Sequence, residues 1–224
     1  MGSGYEVFLE GDNLARLLGG LWVSVSIALA AMAFSLVLGV PVGILMTNRR
    51  RWVRAVLQGY LQAVRVLPPL VLLFVFYFDL TYAGVNLSGQ AAAVIVFTLW
   101  GTAEMADLVR GAVTSIPRHQ YESAQALGLT PVQVQASIVV PQSLRRLTPL
   151  AVNLVTRMVK TTSLVVLIGV VEVLKVGQQI IDANRFDYPS AALWVYGAVF
   201  ALYFAACYPI SKLAGYLERK WQTA

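Results

Sequence analysis

The sequence is poor in charge. Only 12% of its 224 residues are Asp, Glu, Lys or Arg, whereas a soluble domain carries roughly a quarter. The deficit is concentrated, because no charged residue occurs between Arg16 and Arg49 or between Tyr188 and Ser211. Each uncharged run exceeds the roughly 20 apolar residues that a helix needs to cross a bilayer. These runs exclude a soluble globule and a disordered chain, and they predict a polytopic all-α membrane protein.

Several residue types and motifs that catalysis or metal binding needs are scarce or missing as well. Cys207 is the single cysteine and His119 the single histidine, so a disulfide scaffold is excluded and no metal site is predicted. No Gly-Lys pair occurs, although the phosphate-binding loop of ATPases ends in Gly-Lys followed by Ser or Thr. We find no paired carboxylates and no nucleophile beside a base. The chain is therefore not expected to be an enzyme or to hold a cofactor, and a membrane enzyme is the weakest interpretation.

The apolar segments predict five membrane spans in a single transmembrane domain, 1–224. The strongest orientation signal is an arginine cluster directly after the first span, which should be cytoplasmic. The N-terminus is then outside and the C-terminus is cytoplasmic. The cluster consists of Arg49, Arg50, Arg51 and Arg54. The spans are expected at about 17–46, 56–78, 91–113, 147–171 and 190–213.

The polar loop at about 115–146 should lie in the cytoplasm and contain helical structure. Tyr121 to Leu127 has a helical pattern, with Glu122 near its start, where the helix dipole favours an acid. Gly128 follows at the position of a left-handed C-cap. Thr130 and the proline after it should begin a second helix. We therefore expect a short helix on the cytoplasmic face, with small residues exposed for close approach. These small residues are Ser123 and Ala124.

The same loop carries a spaced motif. It reads Glu122-Ser123-Ala124, then Gly128, then Ile138-x-Val140-Pro141. Here the chain resembles the permease subunits of ATP-binding-cassette (ABC) importers, whose pattern is Glu-Ala-Ala, three residues, Gly, nine residues, Ile, one residue and Leu-Pro. Every spacing matches. The departures are Ser for the first Ala and Val for Leu.

Flanking segments narrow the resemblance to the polar amino-acid subfamily, of the histidine, glutamine and arginine type. The resemblance covers about 53–216. Asp107 stands where the family commonly has Glu, Thr161 where it has Asp, and Glu104 where it often has an aromatic residue. The matching segments are Arg65 with Pro68, Ala106-Asp107-Leu108-Val109-Arg110-Gly111 before Ser115-Ile116-Pro117, and Lys160-Thr161-Thr162-Ser163-Leu164.

The resemblance implies a type I ABC importer fold and a set of partners. These are a second permease chain in a homodimer or heterodimer, two ABC ATPase subunits that bind ATP and Mg, and an extracytoplasmic amino-acid-binding protein. It also implies the bacterial cytoplasmic (inner) membrane as the location. The loop helix would couple transport to the ATPase. The residues expected to do this are Glu122, Ser123, Ala124, Leu127 and Gly128.

Charges inside the predicted spans are candidates for contact with a substrate, and they are Glu104, Asp107, Arg157 and Lys160. Charges at the bilayer centre cost at least about 2.5 kcal/mol each and normally face a cavity or each other. Arg157 suits the carboxylate of an amino acid, and Glu104 suits its ammonium group. The alternative is structural ion pairing, for example of Asp107 with Lys160. We favour pairing for those two residues and for Arg110, and we weigh both interpretations equally for Glu104 and Arg157.

Two further expectations follow. Pro68 and Pro69 should break or kink the second span, and Arg65 before them should extend to the cytoplasmic interface. Glu104 adds negative charge to the pathway, which favours a cationic or zwitterionic substrate over an acidic one. An ion-coupled secondary carrier or channel is the alternative function, since it needs no loop that fits an ATPase.

Overall fold

The computed structural model describes residues 4–48 and 50–222, which form helices joined by short connections, with no β-strand among them. The all-helical class is therefore confirmed. Arg49, one of the four arginines of the orientation signal, lies outside the described residues. The α-helices are α1 (Asn13–Leu45), α2 (Arg51–Val66), α3 (Pro69–Phe74), α4 (Leu80–Tyr82), α5 (Gly89–Thr114), α6 (Arg118–Ala126), α7 (Pro131–Val134), α8 (Val140–Thr161), α9 (Val173–Asn184) and α10 (Ala191–Gln222).

Among the described residues, four helical segments are long and apolar enough to cross a membrane. Two of them agree with the first and third predicted spans to within a few residues, and a third begins where the fifth predicted span does but continues to Trp221, eight residues past the expected end. The fourth begins at Pro131 rather than near residue 147, because a π-helical turn at Gln135–Val139 joins α7 directly to α8. It therefore includes much of the segment that was expected to be a polar loop. The four segments are Asn13–Leu45, Gly89–Thr114, Pro131–Ile168 and Ala191–Trp221.

The second predicted span is not a continuous helix. Its two halves, Arg51–Val66 and Pro69–Tyr82, meet at an angle of 93°. Leu67 adopts extended backbone angles, as residues before proline do, and proline cannot donate the next helical hydrogen bond. The expected break at the prolines is confirmed. The part of the chain that the structure describes has five candidate spans if this bent pair is counted as one.

The described residues pack into two units. The first packing unit takes in the described part of Met1–Ala31, with Pro68–Phe97 and Thr156–Pro209. Its core includes the fully buried side chains of Phe97 and Leu73. Tyr188 donates a hydrogen bond to Oε1 of Glu10 over 2.8 Å. This bond raises the pKa of the Tyr188 hydroxyl and ties the N-terminal segment to the connection before α10.

The second packing unit takes in the described parts of Met32–Leu67, Thr98–Val155 and Ile210–Ala224. Within it, α1 approaches α5 closely through Gly39 and Gly43, a Gly-x-x-x-Gly pair. A Cβ atom at Gly43 would lie only 2.6 Å from the carbonyl oxygen of Ala106. Small residues at this spacing let membrane helices pack backbone to backbone.

Candidate coupling helix and intramembrane charges

Helix α6 ends in a Schellman cap at Gly128. Gly128 has φ +80°, a left-handed conformation that glycine adopts without steric cost. Its N–H donates to the carbonyl of Gln125 over 2.9 Å, and the N–H of Leu129 donates to the carbonyl of Ala124 over 3.1 Å. These two bonds satisfy carbonyls that the end of a helix leaves unpaired. The predicted left-handed cap is present.

The start of α6 differs from the prediction. The helix begins at Arg118, because Pro117 holds the extended backbone angles of an N-cap, so Glu122 lies in its middle and not near its start. The carboxylate of Glu122 accepts a hydrogen bond from Nε of Arg118 over 2.8 Å. Both side chains are mostly exposed, and exposed pairs of this kind add little stability. The carboxylate therefore lies at the surface of α6, and its pairing with Arg118 contributes little to the stability of the helix.

The two small residues of the motif point in different directions. Ser123 is exposed, as expected, whereas Ala124 is only 2% exposed. The expectation that both are exposed is therefore wrong for Ala124. Successive helix positions are rotated by about 100°, so only one of the two neighbours faces the protein. Ala124 packs into a small core with Ile116, Val134 and Val139.

Thr130 begins α7 through a capping box. Its Oγ1 accepts from the N–H of Gln133 over 3.4 Å, and Oε1 of Gln133 accepts from the N–H of Thr130 over 2.8 Å. Leu127, on one side of this turn, is 82% exposed, and Val132, on the other side, is 77% exposed. The loop thus combines a rigid, well-capped backbone with exposed apolar side chains, which is typical of a binding surface.

A cluster of four charges joins α2 to α5. Nε of Arg65 donates to Oε1 of Glu104 over 2.8 Å, and Nη1 of Arg65 donates to Oδ2 of Asp107 over 2.9 Å. Arg110 donates to Oδ1 of Asp107 over 2.6 Å. Glu104 is 7% exposed, so its charge is compensated where water is scarce.

This cluster corrects two expectations. Arg65 does not extend alone to the membrane surface, because it bridges two carboxylates on the neighbouring helix. Asp107 pairs with Arg65 and Arg110, where the sequence suggested Lys160. Glu104 also forms an ion pair, as the structural interpretation of that residue predicts.

The other two candidates for substrate contact lie on α8. Arg157 and Lys160 are three residues apart and are both exposed, while Met158 and Val159 between them are buried. They belong to the first packing unit, whereas Glu104 and Asp107 belong to the second. A substrate site that uses all four residues stays a prediction.

The structure also shows a buried acid between the fourth and fifth predicted spans. Glu172 is fully buried and caps α9, accepting from the N–H of Lys175 over 2.9 Å. Its other oxygen accepts from the hydroxyl of Ser24 over 3.1 Å and from that of Tyr203 over 3.0 Å. Helix α9 therefore occupies much of the segment between these two predicted spans. Ser24 and Tyr203 are distant in sequence, so no local pattern predicts this site.

Comparison with known proteins identifies the family. A family model described as "Binding-protein-dependent transport system inner membrane component" matches residues 39–222. The "Probable amino-acid ABC transporter permease protein YckA" of Bacillus subtilis is 30% identical over 210 residues, covering 94% of this chain and 91% of the relative. The "Probable glutamine ABC transporter permease protein GlnM" of the same organism is 28% identical, covering 93% and 94%.

Solved structures share the fold. A chain from the "Crystal structure of an amino acid ABC transporter with histidines" superposes with a TM-score of 0.88 at 21% identity, covering 98% of this chain and 100% of that chain. A chain of the inward-facing MetNI methionine ABC transporter gives a TM-score of 0.71 at 22% identity, covering 93% and 97%. The spaced loop motif, the helical spans and the family match over most of the sequence agree, and the chain belongs to the inner membrane components of binding-protein-dependent transport systems.

Proposed function

We propose that this chain is the permease subunit of an ABC importer for a polar amino acid. A second permease chain, identical or related, would complete the pathway, and an extracytoplasmic amino-acid-binding protein would deliver the substrate. Two ABC ATPase subunits, which bind ATP and Mg, would supply the energy. The arginine cluster after α1 supports an outside N-terminus and a cytoplasmic C-terminus in the bacterial inner membrane.

The observation that carries the proposal is the loop helix α6. It is anchored on the membrane part of the chain through Ala124 and fixed at its end by the cap at Gly128. Ser123 within α6 is exposed, and so are Leu127 and Gly128 directly after the helix. A rigid helix with exposed apolar and small residues suits insertion into a groove of an ATPase. Closure of the ATPase dimer would then push α6 and open the transport pathway to the outside.

The relatives support an amino acid as the substrate, since their names specify amino-acid, glutamine and cystine transport. The charge of Glu104 is compensated by Arg65, so Glu104 gives no support to a cationic substrate. Arg157 is exposed on α8, and its planar guanidinium matches a carboxylate with two parallel hydrogen bonds. We propose that Arg157 binds the carboxylate of the transported amino acid.

Purification from native membranes tests the coupling. The wild-type chain should co-purify with an ATPase, and in proteoliposomes the ATPase activity should rise with the binding protein and one amino acid, which identifies the substrate. Leu127→Asp puts a charge on the exposed apolar surface without touching the core, so it should abolish co-purification. Tyr82→Asp is the matched control, because Tyr82, the last residue of α4, is 97% exposed, and it should keep the ATPase bound.

The alternative is an ion-coupled secondary carrier or channel. It predicts that the chain purifies without any ATPase and still moves solute in liposomes along an ion gradient. That result would overturn the importer proposal, whereas loss of transport together with loss of the ATPase would support it.

A further inference from the structure

A cavity of about 330 Å³ lies within the second packing unit. Its walls come from the C-terminal part of α1, the C-terminal end of α5 and the segment from the π-helical turn into α8. Nine of the lining side chains are apolar, and the polar ones are Thr47, Gln135 and Ser143. The volume is that of a small-molecule site, yet the walls offer little for a polar ligand.

Ser143 points to a ligand in this cavity. The residue is 7% exposed, and its Oγ has no hydrogen-bond partner among the described residues. Serine in a helix usually donates to the carbonyl four residues earlier. Here that residue is Val139, the last of the π-helical turn, where the regular bonding pattern is interrupted. Buried hydroxyl groups normally have a partner, so an acceptor on a bound molecule would complete this site.

The edges of the cavity resemble a surface in contact with hydrocarbon. Ile44, Val140 and Leu144 line the cavity, and each is about half exposed. Apolar side chains exposed to this degree on candidate membrane spans suit acyl chains better than water. The edges of this cleft are therefore suited to contact with acyl chains.

Two arginines follow one wall of the cleft closely in the chain. Arg50 and Arg51 follow the lining residue Thr47 within four positions, so the chain keeps them within about 14 Å of it. Both are exposed, as is the neighbouring Trp52, a residue type enriched where membrane meets water. Arginine is well suited to bind phosphate.

We propose that this cleft binds an anionic phospholipid of the surrounding membrane. One acyl chain fills the apolar cavity, the Ser143 hydroxyl donates to an ester carbonyl oxygen, and Arg50 and Arg51 contact the phosphate. The size, the apolar walls, the unpartnered hydroxyl and the adjacent cations are all accounted for by this one class of ligand. The site does not depend on the proposed transport function.

Native mass spectrometry of the purified complex tests the proposal, with phosphatidylglycerol or phosphatidylcholine as the added lipid. We expect one retained phosphatidylglycerol per permease chain and weaker retention of phosphatidylcholine. Ala112→Leu places a larger apolar side chain in the cavity and should abolish this retained lipid. Ala205→Leu is the control, because Ala205 is exposed on α10 and does not line the cavity, and it should retain the lipid.

Two further variants add no bulk to the cavity, so they test lipid binding without disturbing the fold. Ser143→Ala should lower occupancy about fivefold, the effect of one lost hydrogen bond, without lowering the Tm measured in lipid-free detergent. Arg50→Gln with Arg51→Gln should reduce retention of phosphatidylglycerol to that of phosphatidylcholine. Unchanged lipid retention in Ala112→Leu, or equal retention of the two lipids by the wild type, would overturn the proposal. So would a disulfide between two chains that carry Leu144→Cys and Cys207→Ser, since a second copy would then cover the cleft.

Discussion

The hydroxyl of Tyr203 on α10 donates to Oε2 of Glu172 over 3.0 Å. The same oxygen accepts from Ser24 on α1, and the other oxygen caps α9. One fully buried carboxylate therefore joins three helices of the first packing unit. Because its acceptor sites are used by these donors, its removal leaves donors unpaired in several places at once.

Replacing Glu172 should destabilise the protein according to how many acceptors are lost. Glu172→Leu removes the acceptor of the Lys175 N–H and of the Tyr203 hydroxyl and should cost about 3 kcal/mol or more. Glu172→Gln keeps one acceptor oxygen and should cost less. Thermal unfolding in detergent measures both, and Tyr203→Phe, which removes one bond, should cost about 1 kcal/mol. Equal Tm values for the leucine and glutamine variants would show that the hydrogen bonds are not what matters at this site.

The ion cluster on α2 and α5 predicts that substitutions at Arg65 and Glu104 have non-additive effects on stability. Arg65→Met leaves Glu104 buried without its cation, which costs about 3–5 kcal/mol for a fully buried pair. The cost should be lower here because the Arg65 side chain is 39% exposed. Adding Glu104→Gln to Arg65→Met should restore part of the lost stability. A double-mutant cycle with additive effects would show that the two side chains do not interact.

The close approach of α1 to α5 predicts opposite effects for two Gly-to-Ala changes. Gly43→Ala should destabilise the protein, since its methyl group would lie 2.6 Å from a backbone oxygen. Gly59→Ala on α2 is the matched control, because nothing lies within 4 Å of its added Cβ. It should stabilise the chain by up to about 1 kcal/mol through helix propensity. Equal Tm shifts of the two variants would contradict the packing seen here.

The cap at Gly128 predicts that backbone conformation, and not space, limits substitution. No atom lies within 4 Å of an added Cβ, yet φ is +80°. Gly128→Ala should therefore cost about 1–2 kcal/mol of left-handed strain, whereas Gly128→Asn should be milder because Asn tolerates this region. In proteoliposomes, substrate-stimulated ATPase activity should fall more for the alanine variant. The reverse order would mean that the side chain at 128 acts through contacts with the partner.

Local patterns predicted much of this fold. The uncharged runs located the spans of α1 and α10, the prolines located the break after α2, and Gly128 located the end of α6. Each of these signals depends on residues close together in the chain, where helix length and backbone preference decide the outcome. The spaced loop motif also identified the family before any geometry was known.

Long-range pairing was not predictable in the same way. Arg65 and Glu104 are 39 residues apart, and an isolated arginine just before the prolines of a predicted span suggests an interfacial residue. Glu172 follows an apolar segment, and Lys175 comes three residues later, so the segment resembles a loop until Ser24 and Tyr203 are brought to Glu172. Whether Ser123 or Ala124 faces the protein depends on the small core that packs against α6. In each case, tertiary packing selects among alternatives that the sequence leaves equivalent.

The charge cluster has an electrical consequence. Arg65, Arg110, Glu104 and Asp107 carry two positive and two negative formal charges, so their sum is zero. A single charge moved across 100 mV changes the energy by about 2.3 kcal/mol, whereas a neutral group moved as one body contributes nothing. If these four side chains shift together during the cycle, they carry no gating charge. Any dependence of the transport rate on membrane potential would then report the charge of the solute or of residues elsewhere in the assembly.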